Sequence, residues 1–480
     1  MKLYPIIGLE IHVQLNTKTK LFCHCLNEYA PDKPNKNICP FCTGQPGALP
    51  VINKEAVLKA IRFGQAIGST IPEKTRWDRK NYFYPDLPAG YQISQYDNPI
   101  VVGGKIEFFV EDKNTGQFVE SYVDMTRAHL ESDAAKLLHL GGKTMVDFNR
   151  SGAPLIEIVT EPVITSSAKA MAFVNELQSI VRMLGISDGD MDKGQMRFDC
   201  NLSLRTQEEL DNGKLPKYRT ETKNINSVRS LGRAIEYEII RQSKLLEEGT
   251  TPVQETRGWK DDQNKSVSQR SKEDAMDYRY FPEPDLQILE ISPLDLIPQD
   301  QVPKLPQTIR KEIMGKGLTA QIANTIIDNS DISSIFNQLD NGNNTKALIN
   351  ILVGPLMSKA KLDDKPITSF ISNTQIAQLV ELVNADKISN QNITKLVDLL
   401  TTQEESVEEI AKTNNLIIVN DTSLLTSIVE TILANNTSQV EEYKSGKVAI
   451  IGYLIGQCMK EAKGQGNPKV FTELLKSKLD

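Results

Sequence analysis

Residues 8 to 15 read GLEIHVQL, a stretch in which apolar and polar side chains alternate. A period of two is typical of a β-strand that lays one face on a core. The apolar face holds Leu9, Ile11, Val13 and Leu15, and the polar face holds Glu10, His12 and Gln14. The apolar face requires a packed interior behind it. The polar face is either solvated, as in most half-buried sheets, or part of a site.

Strand-like and helix-like segments alternate through the first 293 residues. Further strands are predicted at 105–112, 155–162 and 196–205, and helices at 53–68, 167–185 and 227–249. Segments of both kinds mixed along one stretch favour an α+β domain, which we place at residues 1–293.

The composition changes near residue 293. Only one arginine, Arg310, follows this point, and aromatic residues become sparse. Four amphipathic runs predict helices at 346–362, 374–389, 392–412 and 422–436. A proline-rich linker at 281–307 prevents one continuous helix from joining the two parts. We predict an all-α region in two parts, a helical domain at 294–405 and a tail domain at 406–480.

Length and charge limit the class of protein. The chain has 480 residues and a formal net charge of −7, which excludes an overall basic coat for nucleic acid but not a local basic patch. No window approaches 18 consecutive apolar residues, so no membrane span is expected. Glu10 interrupts the apolar start, which argues against a secretory signal. We therefore expect a cytoplasmic protein.

Four of the six cysteines lie within twenty residues, in CHCLNEYAPDKPNKNICPFC. Cys23 and Cys25 form one close pair and Cys39 and Cys42 a second, separated by thirteen residues. This spacing is typical of a tetrahedral zinc site, whereas four unrelated buried cysteines are a poor explanation in a loop rich in Pro and Asn. Four thiolates leave no open position on the metal, so the predicted zinc is structural.

Other predicted strands also carry polar residues on one face. In MRFDCNLSLR (196–205) Asp199 and Asn201 alternate with apolar residues, and Glu157 interrupts the apolar run of LIEIVTEP. The segment RAHLESDAAK adds His129, Glu131 and Asp133. Carboxylates beside an imidazole and an Asn would suit Mg²⁺ with bound phosphates, provided that these segments meet in the fold.

Aromatic residues and cations are interleaved in DRKNYFYPDLPAGYQISQYDNP, residues 78 to 99. This mixture suits a nucleotide or the end of a tRNA, where rings stack and lysine meets phosphate. The alternative is a loop that its aromatic residues pin to the core. The segment DYRYFPEPDL (277–286) repeats the pattern with Arg279. Because Leu137 stands where a P-loop would need its first glycine before GGKT, any nucleotide binds in another kind of site.

Taken together, these segments resemble the B subunits of the aspartyl/glutamyl-tRNA amidotransferases, the GatB family. The resemblance runs in family order from GLEIHVQL through KNYFYPDLPAGYQISQ, LIEIVTEP, RFDCNLSLR, TETKNINS and DYRYFPEPDL to GQCMKEAKGQGNP. It covers essentially the whole chain and is more specific than any single motif.

The resemblance implies an enzyme subunit that acts on misacylated tRNA. Family members use ATP and Mg²⁺ to phosphorylate the side-chain carboxylate of Asp-tRNA(Asn) or Glu-tRNA(Gln), and ammonia then displaces the phosphate. The implied partners are an amidase subunit (GatA type), which supplies the ammonia, and a small GatC-type subunit in a heterotrimer. The first domain is implied to be a catalytic cradle resembling the glutamine synthetase and guanidino kinase fold. The tail is implied to be a GatB/YqeY region that contacts tRNA.

The resemblance also implies which residues form the site. Glu10, His12 and Glu131 resemble the magnesium ligands, and Glu157 and Asp199 match acidic positions that line the same site. Lys80 and Tyr82 match the signature near ATP. The further residues predicted to contact ATP or substrate are Arg197, Asn201 and Arg279.

One segment departs from the family pattern. The family usually reads Glu-Glu-Asp-Ala-Gly-Lys where this chain reads ESDAAK, so Ser132 replaces the second Glu and Ala135 the Gly. If the second Glu contacts the metal in relatives, Glu131, Asp133 or water must take its place here.

Two other functions compete with this interpretation. One is a tRNA-binding scaffold without catalysis, which would have no need of the cluster of Glu10, His12, Glu157 and Asp199. The other is a stand-alone ligase that uses free ammonia, which only a test with a partner can distinguish.

The C-terminal residues 444–480 carry a local positive charge. Seven lysines stand against three acidic residues there, a net charge of 7 − 3 = +4 in a chain of net charge −7. The resemblance favours contact of these lysines with tRNA phosphates, and the alternative is a solvated helix end.

Overall fold

The computed structural model describes residues 2–28, 33–112, 115–271, 278–401, 406–418, 422–462 and 466–479. The chain divides into two compact units, Met1–Ile309 and Arg310–Asp480. The three-domain division given above stays a prediction. Lys463 and Asp277, which belong to quoted motifs, lie outside the described residues.

A mixed sheet organises the first unit. The described strands are β1 (Tyr4–Gln14), β2 (Lys74–Thr75), β3 (Asp78–Asn81), β4 (Tyr91–Ser94), β5 (Val101–Val102), β6 (Lys105–Glu111), β7 (Phe118–Ser132), β8 (Lys136–Leu140), β9 (Lys143–Asp147), β10 (Pro154–Thr160), β11 (Met196–Arg205), β12 (Thr220–Ile225), β13 (Glu255–Lys260), β14 (Lys265–Ser271), β15 (Phe281–Pro282) and β16 (Leu289–Glu290). Nine of them form one sheet in the order β14-β13-β12-β11-β1-β10-β7-β5, with β6 also paired to β7. Strands β12 and β13 run parallel to each other.

Strand β1 lies in the middle of this sheet, paired antiparallel to β11 and β10. Its apolar residues Leu9, Ile11 and Val13 are buried in the core of the unit. A slip of one residue in the pairing would turn Glu10 and His12 into that core. Because burying unpaired charge is so costly, the alternation in GLEIHVQL fixes which face points to the site.

Helices cover the apolar face of the sheet. The first unit contains α1 (Lys54–Ala66), α2 (Ser167–Met183), α3 (Gln207–Asp211) and α4 (Val228–Glu247). The side chains of Ser166 and Ser227 cap α2 and α4 by accepting hydrogen bonds from backbone amides of the first turn. Phe173 of α2 and Leu231 of α4 enter the same core as Leu9 and Ile11. The predicted α+β fold of the first part is therefore confirmed.

The proline-rich segment 281–307 is more than a linker, which corrects the sequence interpretation. Strand β15 pairs with β3, and β16 pairs with β2. The amide of Ile291 also donates to the carbonyl of Glu73. Prolines do exclude a continuous helix here, but the segment folds back onto the first unit.

The second unit is helical, as predicted. The remaining described helices are α5 (Pro306–Gly315), α6 (Ala320–Asp328), α7 (Ser330–Leu339), α8 (Thr345–Ile351), α9 (Met357–Asp363), α10 (Asn373–Asn384), α11 (Asn390–Leu400), α12 (Val407–Thr413), α13 (Thr422–Asn435), α14 (Thr437–Lys444), α15 (Ile451–Glu461) and α16 (Pro468–Leu479). Short 3₁₀ turns occur in the second unit at Ile367–Ser369 and Val448–Ile450, and in the first unit at Pro293–Asp295 and Gln299–Gln301. Among the described residues, no helix is both long and apolar enough to cross a membrane.

Two predicted helices are divided in the structure. A π-helical turn at Leu352–Leu356, which contains Pro355, separates α8 from α9, because proline cannot donate the backbone hydrogen bond of a regular helix. The run 392–412 becomes α11 and α12, and residues 402–405 between them lie outside the description. Ser406 begins α12 with a capping box in which Glu409 takes part.

Candidate active site

The pairing register brings polar residues from five strands onto one face of the sheet. Glu10 lies opposite Asp199 of β11, and His12 lies between Arg197 of β11 and Glu157 of β10. The polar residues continue outward with His129 and Glu131 on β7 and with Glu221 and Lys223 on β12. Residues far apart in the sequence therefore meet opposite the packed core.

A first group is formed by His12, Glu131 and Glu157. The Nε2 atom of His12 lies 3.4 Å from Glu131 Oε1 and 3.4 Å from Glu157 Oε2. Burial lowers the pKa of His12, but hydrogen bonds to the two carboxylates outweigh it and raise that pKa to about 10. Burial raises the pKa of Glu157, yet His129 and His12 together hold it well below its usual value. His129 Nε2 lies 3.5 Å from Glu157 Oε2.

A second group is formed by Glu10, Asp199 and Glu221. Burial raises the pKa of Glu10, and the neighbouring carboxylates add to the effect because like charges oppose its ionisation. Lys223 offsets part of this charge, with its Nζ 2.9 Å from Asp199 Oδ2 and 3.1 Å from Glu221 Oε1. Asn201 Nδ2 donates to Glu10 Oε1 at 3.2 Å.

The structure groups these residues differently from the predicted magnesium set of Glu10, His12 and Glu131. Within each of the two groups the ligand atoms lie within 4.8 Å of one another, so either group could hold a cation. Glu10 belongs to one group, while His12 and Glu131 belong to the other. Glu221 and Lys223 were not among the predicted site residues. They alternate with other residues in TETKNI on β12, which is the same pattern that indicated Glu10 and His12.

The donors on this face fit Mg²⁺. Carboxylate oxygens dominate both groups, and hard oxygen ligands are those that Mg²⁺ prefers. Two buried acceptors, Glu131 Oε2 and Asn201 Oδ1, have no hydrogen-bond partner among the described residues. Since buried acceptors without partners are costly, these atoms are suited to a cation or a ligand donor.

Lys80 and a cluster of tyrosines flank the first group. Burial lowers the pKa of Lys80, but Glu131, Tyr280 and Glu157 outweigh it and raise that pKa, so this lysine stays charged beside the carboxylates. Its Nζ lies 5.1 Å from the centre of the Tyr278 ring. The rings of Tyr82 and Tyr278 meet edge to face at 6.1 Å, and burial raises the pKa of Tyr82 to about 12. The two aromatic segments identified in the sequence therefore meet beside the acidic face.

Arg279 lies between Tyr278 and Tyr280 in the sequence, and its side chain is exposed. Its backbone has a positive φ of 44°, and its carbonyl accepts a hydrogen bond from Asn81 Nδ2 at 2.8 Å. Tyr278 and Tyr280, on either side of Arg279 in the sequence, both lie near Lys80 and help to raise the pKa of that lysine. The role of Arg279 in binding stays a prediction.

The ESDAAK segment assigns different tasks to its two acidic residues. Glu131 joins His12 and Glu157, whereas Asp133 is held by Arg197, whose Nη2 lies 2.9 Å from Asp133 Oδ2. Arg150 Nε lies 3.5 Å from the same oxygen. The backbone carbonyl of Ser132 accepts a hydrogen bond from Gln92 Nε2 at 2.7 Å. Of the possible replacements for the family's second Glu, Glu131 is the one that lies in a metal-capable group.

The four clustered cysteines converge as the spacing predicts. The Sγ atoms of Cys23, Cys25, Cys39 and Cys42 lie within 4.8 Å of one another, so they could hold a metal such as zinc. Cys39 and Cys42 Sγ atoms are 3.8 Å apart, the edge of a tetrahedron with zinc–sulfur bonds of about 2.3 Å. The pKa of Cys42 is lowered to about 5, because the Cys23 thiol, the Cys39 amide and the ammonium of Lys20 stabilise its thiolate.

The cysteine loop supports the aromatic loop beside the acidic face. A Cβ atom at Gly44 would lie 2.7 Å from the carbonyl carbon of Pro88, so only glycine permits this contact. Gly44 also has a positive φ of 68°, which a side chain would strain. Ser151 Oγ donates a hydrogen bond to the carbonyl of Cys42 at 2.9 Å. This bond connects the cysteine loop to the segment that precedes β10.

We expect Cys39→Ser to lower both zinc content and thermal stability. Hydroxyl oxygen is a poor substitute for thiolate on zinc, and metal binding contributes directly to folding. Metal analysis of purified protein should give about one zinc per chain for the wild type and less for the variant. Cys458→Ser, at a buried cysteine outside the cluster, is the control that should keep its zinc. A zinc-free wild type with unchanged melting would contradict the prediction.

Comparisons with known proteins identify the family of this chain. The GatB/GatE catalytic domain model matches residues 5–296, and a GatB domain model matches residues 334–479. The B subunit of an aspartyl/glutamyl-tRNA(Asn/Gln) amidotransferase from Helicobacter hepaticus is 42% identical over 99% of this chain and 98% of its own length. The protein of the same name from Dehalococcoides mccartyi is 39% identical over the same shares of the two chains. The chain therefore belongs to the GatB family of amidotransferase B subunits.

Proposed function

We propose that this chain is the component of a tRNA-dependent amidotransferase that activates the side chain of Asp-tRNA(Asn) or Glu-tRNA(Gln). ATP phosphorylates the carboxylate, and ammonia then converts the acyl phosphate to the amide. The observation that supports this best is the pair of acidic groups on one face of the sheet, with Lys80 beside one and Lys223 beside the other.

The proposed chemistry has two balanced steps. A carboxylate oxygen of the aminoacyl group attacks the γ-phosphorus of ATP, the bond to the β-phosphate oxygen breaks, and ADP leaves. Ammonia next attacks the carbonyl carbon, phosphate leaves with the bonding electron pair, and a proton is lost from nitrogen. The first step brings together two negatively charged reactants, so the site must supply positive charge.

The side chains of this face suit that requirement. Lys80 remains charged at neutral pH and is positioned to attract a carboxylate or phosphate oxygen. Mg²⁺ would displace the proton of His12 and be held by His12, Glu131 and Glu157, and Glu10, Asp199 and Glu221 could hold another. Bound Mg²⁺ would neutralise phosphate oxygens during transfer. A nucleotide site without a P-loop is consistent with the proposed resemblance to the glutamine synthetase and guanidino kinase fold.

The same proposal includes the partners and the compartment. An amidase subunit would generate ammonia from glutamine, and a small third subunit would complete a heterotrimer. The relatives are named as B subunits, which supports a complex of several different chains. We place the reaction in the cytoplasm, because aminoacyl-tRNA is consumed there in translation.

The decisive experiment measures amide formation on Asp-tRNA(Asn) and Glu-tRNA(Gln). The full chain is assayed with ATP and ammonia, with and without its amidase partner. ATP-dependent product, together with ADP formation, supports the proposal. No product with ammonia under any combination would favour the scaffold function. Full activity that the partner and glutamine do not change would favour the stand-alone ligase.

The tail requires a different test from simple truncation. Residues 444–480 contribute Leu454, Phe471 and Leu475 to a core shared with Leu425 and Val429. Removing these residues would therefore unfold this part of the second unit. Three tail lysines also form ion pairs within the second unit. These pairs are Lys447 with Glu442, Lys469 with Asp386, and Lys478 with Glu430. Fewer lysines are therefore available for contact with RNA phosphates than the net charge of this segment predicts.

We expect the triple substitution of Lys444, Lys460 and Lys476 by Gln to weaken tRNA binding and flatten its salt dependence. These three lysines are exposed, and each phosphate contact adds about 0.7 to 0.9 to the slope of log affinity against log salt. The matched control replaces Lys447, Lys469 and Lys478, which are already ion-paired. Equal salt slopes for the wild type and the first variant would show that the tail is only structural.

A further inference from the structure

Lys20 is a cation that is closed off from solvent. Its exposed fraction is 0%, and its side chain is among the largest that are fully buried in the chain. Among the described residues its Nζ forms no ion pair with a carboxylate, in contrast to Lys223, which has Asp199 and Glu221 as partners. Because burying an unpaired ammonium group is costly, a compensating negative charge must lie elsewhere in its surroundings.

The hydrogen bonds of Lys20 do not supply this charge. Its Nζ donates to the backbone carbonyls of Asn37 at 2.8 Å and Phe148 at 3.2 Å. These bonds use two of the three hydrogens of the ammonium group. A carbonyl oxygen is the end of a neutral dipole, so the two acceptors satisfy hydrogen bonds but leave the positive charge unbalanced.

The cluster of four cysteines lies directly beside Lys20. A Cβ atom added at Gly152 would lie 3.7 Å from Lys20 Cδ and 3.9 Å from Cys42 Cβ, so the lysine stem and this cysteine border the same small space. The charge of Lys20 also acts on the Cys42 side chain and favours its thiolate. The cluster can therefore supply the negative charge that the lysine lacks.

A metal at this cluster would leave a negative charge that itself needs a partner. Thiolates are the form of cysteine that binds metal, and Zn²⁺ with four of them has an excess of two negative charges. Cys42 is buried and the other three cysteines are half-buried, so water does not fully surround this charge. The excess charge of the cluster and the unbalanced charge of Lys20 would compensate each other.

Lys20 also contacts the segments of both cysteine pairs. Its backbone amide donates to the carbonyl of Cys25 at 3.0 Å, in the first pair. Its Nζ donates to the carbonyl of Asn37, two residues before the second pair begins at Cys39. One residue thereby holds both segments and brings its positive charge to them.

We propose that Lys20 is the counter-ion of a zinc tetrathiolate at Cys23, Cys25, Cys39 and Cys42. It is a positioning residue that strengthens zinc binding without being a ligand. This inference rests on the predicted zinc site and not on the amidation reaction, so its test needs neither tRNA nor ATP.

Two substitutions separate the charge of Lys20 from its hydrogen bonds. Lys20→Met keeps an unbranched side chain and removes both. Lys20→Gln removes the charge but keeps a side-chain amide that can donate to the carbonyls. The matched control is Lys18→Met, since Lys18 lies two residues away and is exposed.

The first measurement is zinc affinity, determined on the full chain by competition with a chromophoric chelator at a single pH. We expect Lys20→Met and Lys20→Gln to weaken zinc binding about tenfold or more, and Lys18→Met to leave it unchanged. Cobalt(II) loaded in place of zinc should show the same thiolate-to-metal absorption bands in all variants, because the four ligands are retained.

The second measurement is melting with and without zinc, which a purely structural role would not distinguish. In the zinc-loaded protein Lys20→Met should lower the melting temperature, because the charge of the cluster loses its partner. In the chelator-treated protein the same variant should melt at or above the wild-type temperature, because it removes a buried charge that has lost its counter-ion.

Three outcomes would overturn the assignment. Wild-type zinc affinity in both Lys20 variants would show that the charge is not needed. Weaker binding in Lys20→Met but not in Lys20→Gln would assign the effect to hydrogen bonding. An equal loss of melting temperature with and without zinc would make Lys20 a packing residue. If Lys20→Met does not fold, Lys20→Gln decides.

The test also separates this inference from the proposed function. A wild type that takes up no zinc would defeat the predicted zinc site together with this assignment, and amide formation would be unaffected by that result. A wild type that binds zinc but forms no amide would defeat the proposed function alone.

Discussion

Replacing His12 by alanine is expected to lower ATP-dependent amidation by about 10³-fold or more. His12 stands between Glu131 and Glu157, with its Nε2 3.4 Å from each carboxylate. Its loss removes one of three groups that could hold a cation and leaves two carboxylates to repel each other. Metal-assisted charge neutralisation contributes several kcal/mol, and about 4 kcal/mol corresponds to 10³-fold in rate. The rate is measured with ammonia as nitrogen donor, which removes any dependence on the amidase.

The control for this prediction is His139→Ala. His139 is exposed on the β8–β9 hairpin, where its Nδ1 contacts Thr144 Oγ1 at 3.0 Å. This variant should retain wild-type turnover. His139→Ala should melt close to the wild type. His12→Ala leaves Glu131 and Glu157 buried without their partner, so it should melt at a lower temperature but still in one cooperative transition. Near-normal turnover of His12→Ala with ammonia would place the chemistry elsewhere on the protein.

Replacing Asp199 by asparagine is expected to lower amidation by about 10²- to 10³-fold while the fold is retained. The substitution keeps the size of the side chain but removes a charge from the group of Glu10 and Glu221. Lys223 would lose its 2.9 Å ion pair to Asp199 and keep the 3.1 Å pair to Glu221. The group would then carry less negative charge for a cation, so more Mg²⁺ should be needed for half-maximal activity.

A magnesium titration separates this effect from a structural one. Asp262→Asn, in the exposed turn between β13 and β14, is the matched control and should reproduce the wild-type curve. If Asp199→Asn loses activity with the same magnesium dependence as the wild type, Asp199 acts by a route other than cation binding. If it keeps full activity, the second acidic group has no part in the reaction.

The two acidic groups also show why single residues identify this site poorly. Each carboxylate alone is an ordinary polar residue on a strand, and a half-buried sheet usually turns such a face to water. Function is indicated by the density of charge, because six metal-capable side chains share one face with Lys223, and Lys80 flanks that face from β3. So much like charge is unfavourable without cations, and cations are what phosphoryl transfer requires.

The sequence by itself determined the local properties of this protein. The alternation in GLEIHVQL specified a strand with one apolar and one polar face, because a slip of one residue would bury Glu10 and His12. The cysteine spacing specified a cluster, since a short loop can bring its own thiols together. Amphipathic periodicity specified helices in the second part. Each of these features depends on residues within about twenty positions of one another.

Only the tertiary structure decided which of these residues act together. Glu10 meets Asn201 across 191 positions, and the pairing of β1 with β11 makes that contact. Packing between distant segments likewise decides that Glu131 rather than Asp133 joins a metal-capable group, and it places Glu221 and Lys223 beside Asp199. It also forms the ion pairs of Lys469 with Asp386 and of Lys478 with Glu430. Strand register and helix packing are fixed by the shared core rather than by local propensity, because burial is gained only when all segments assemble.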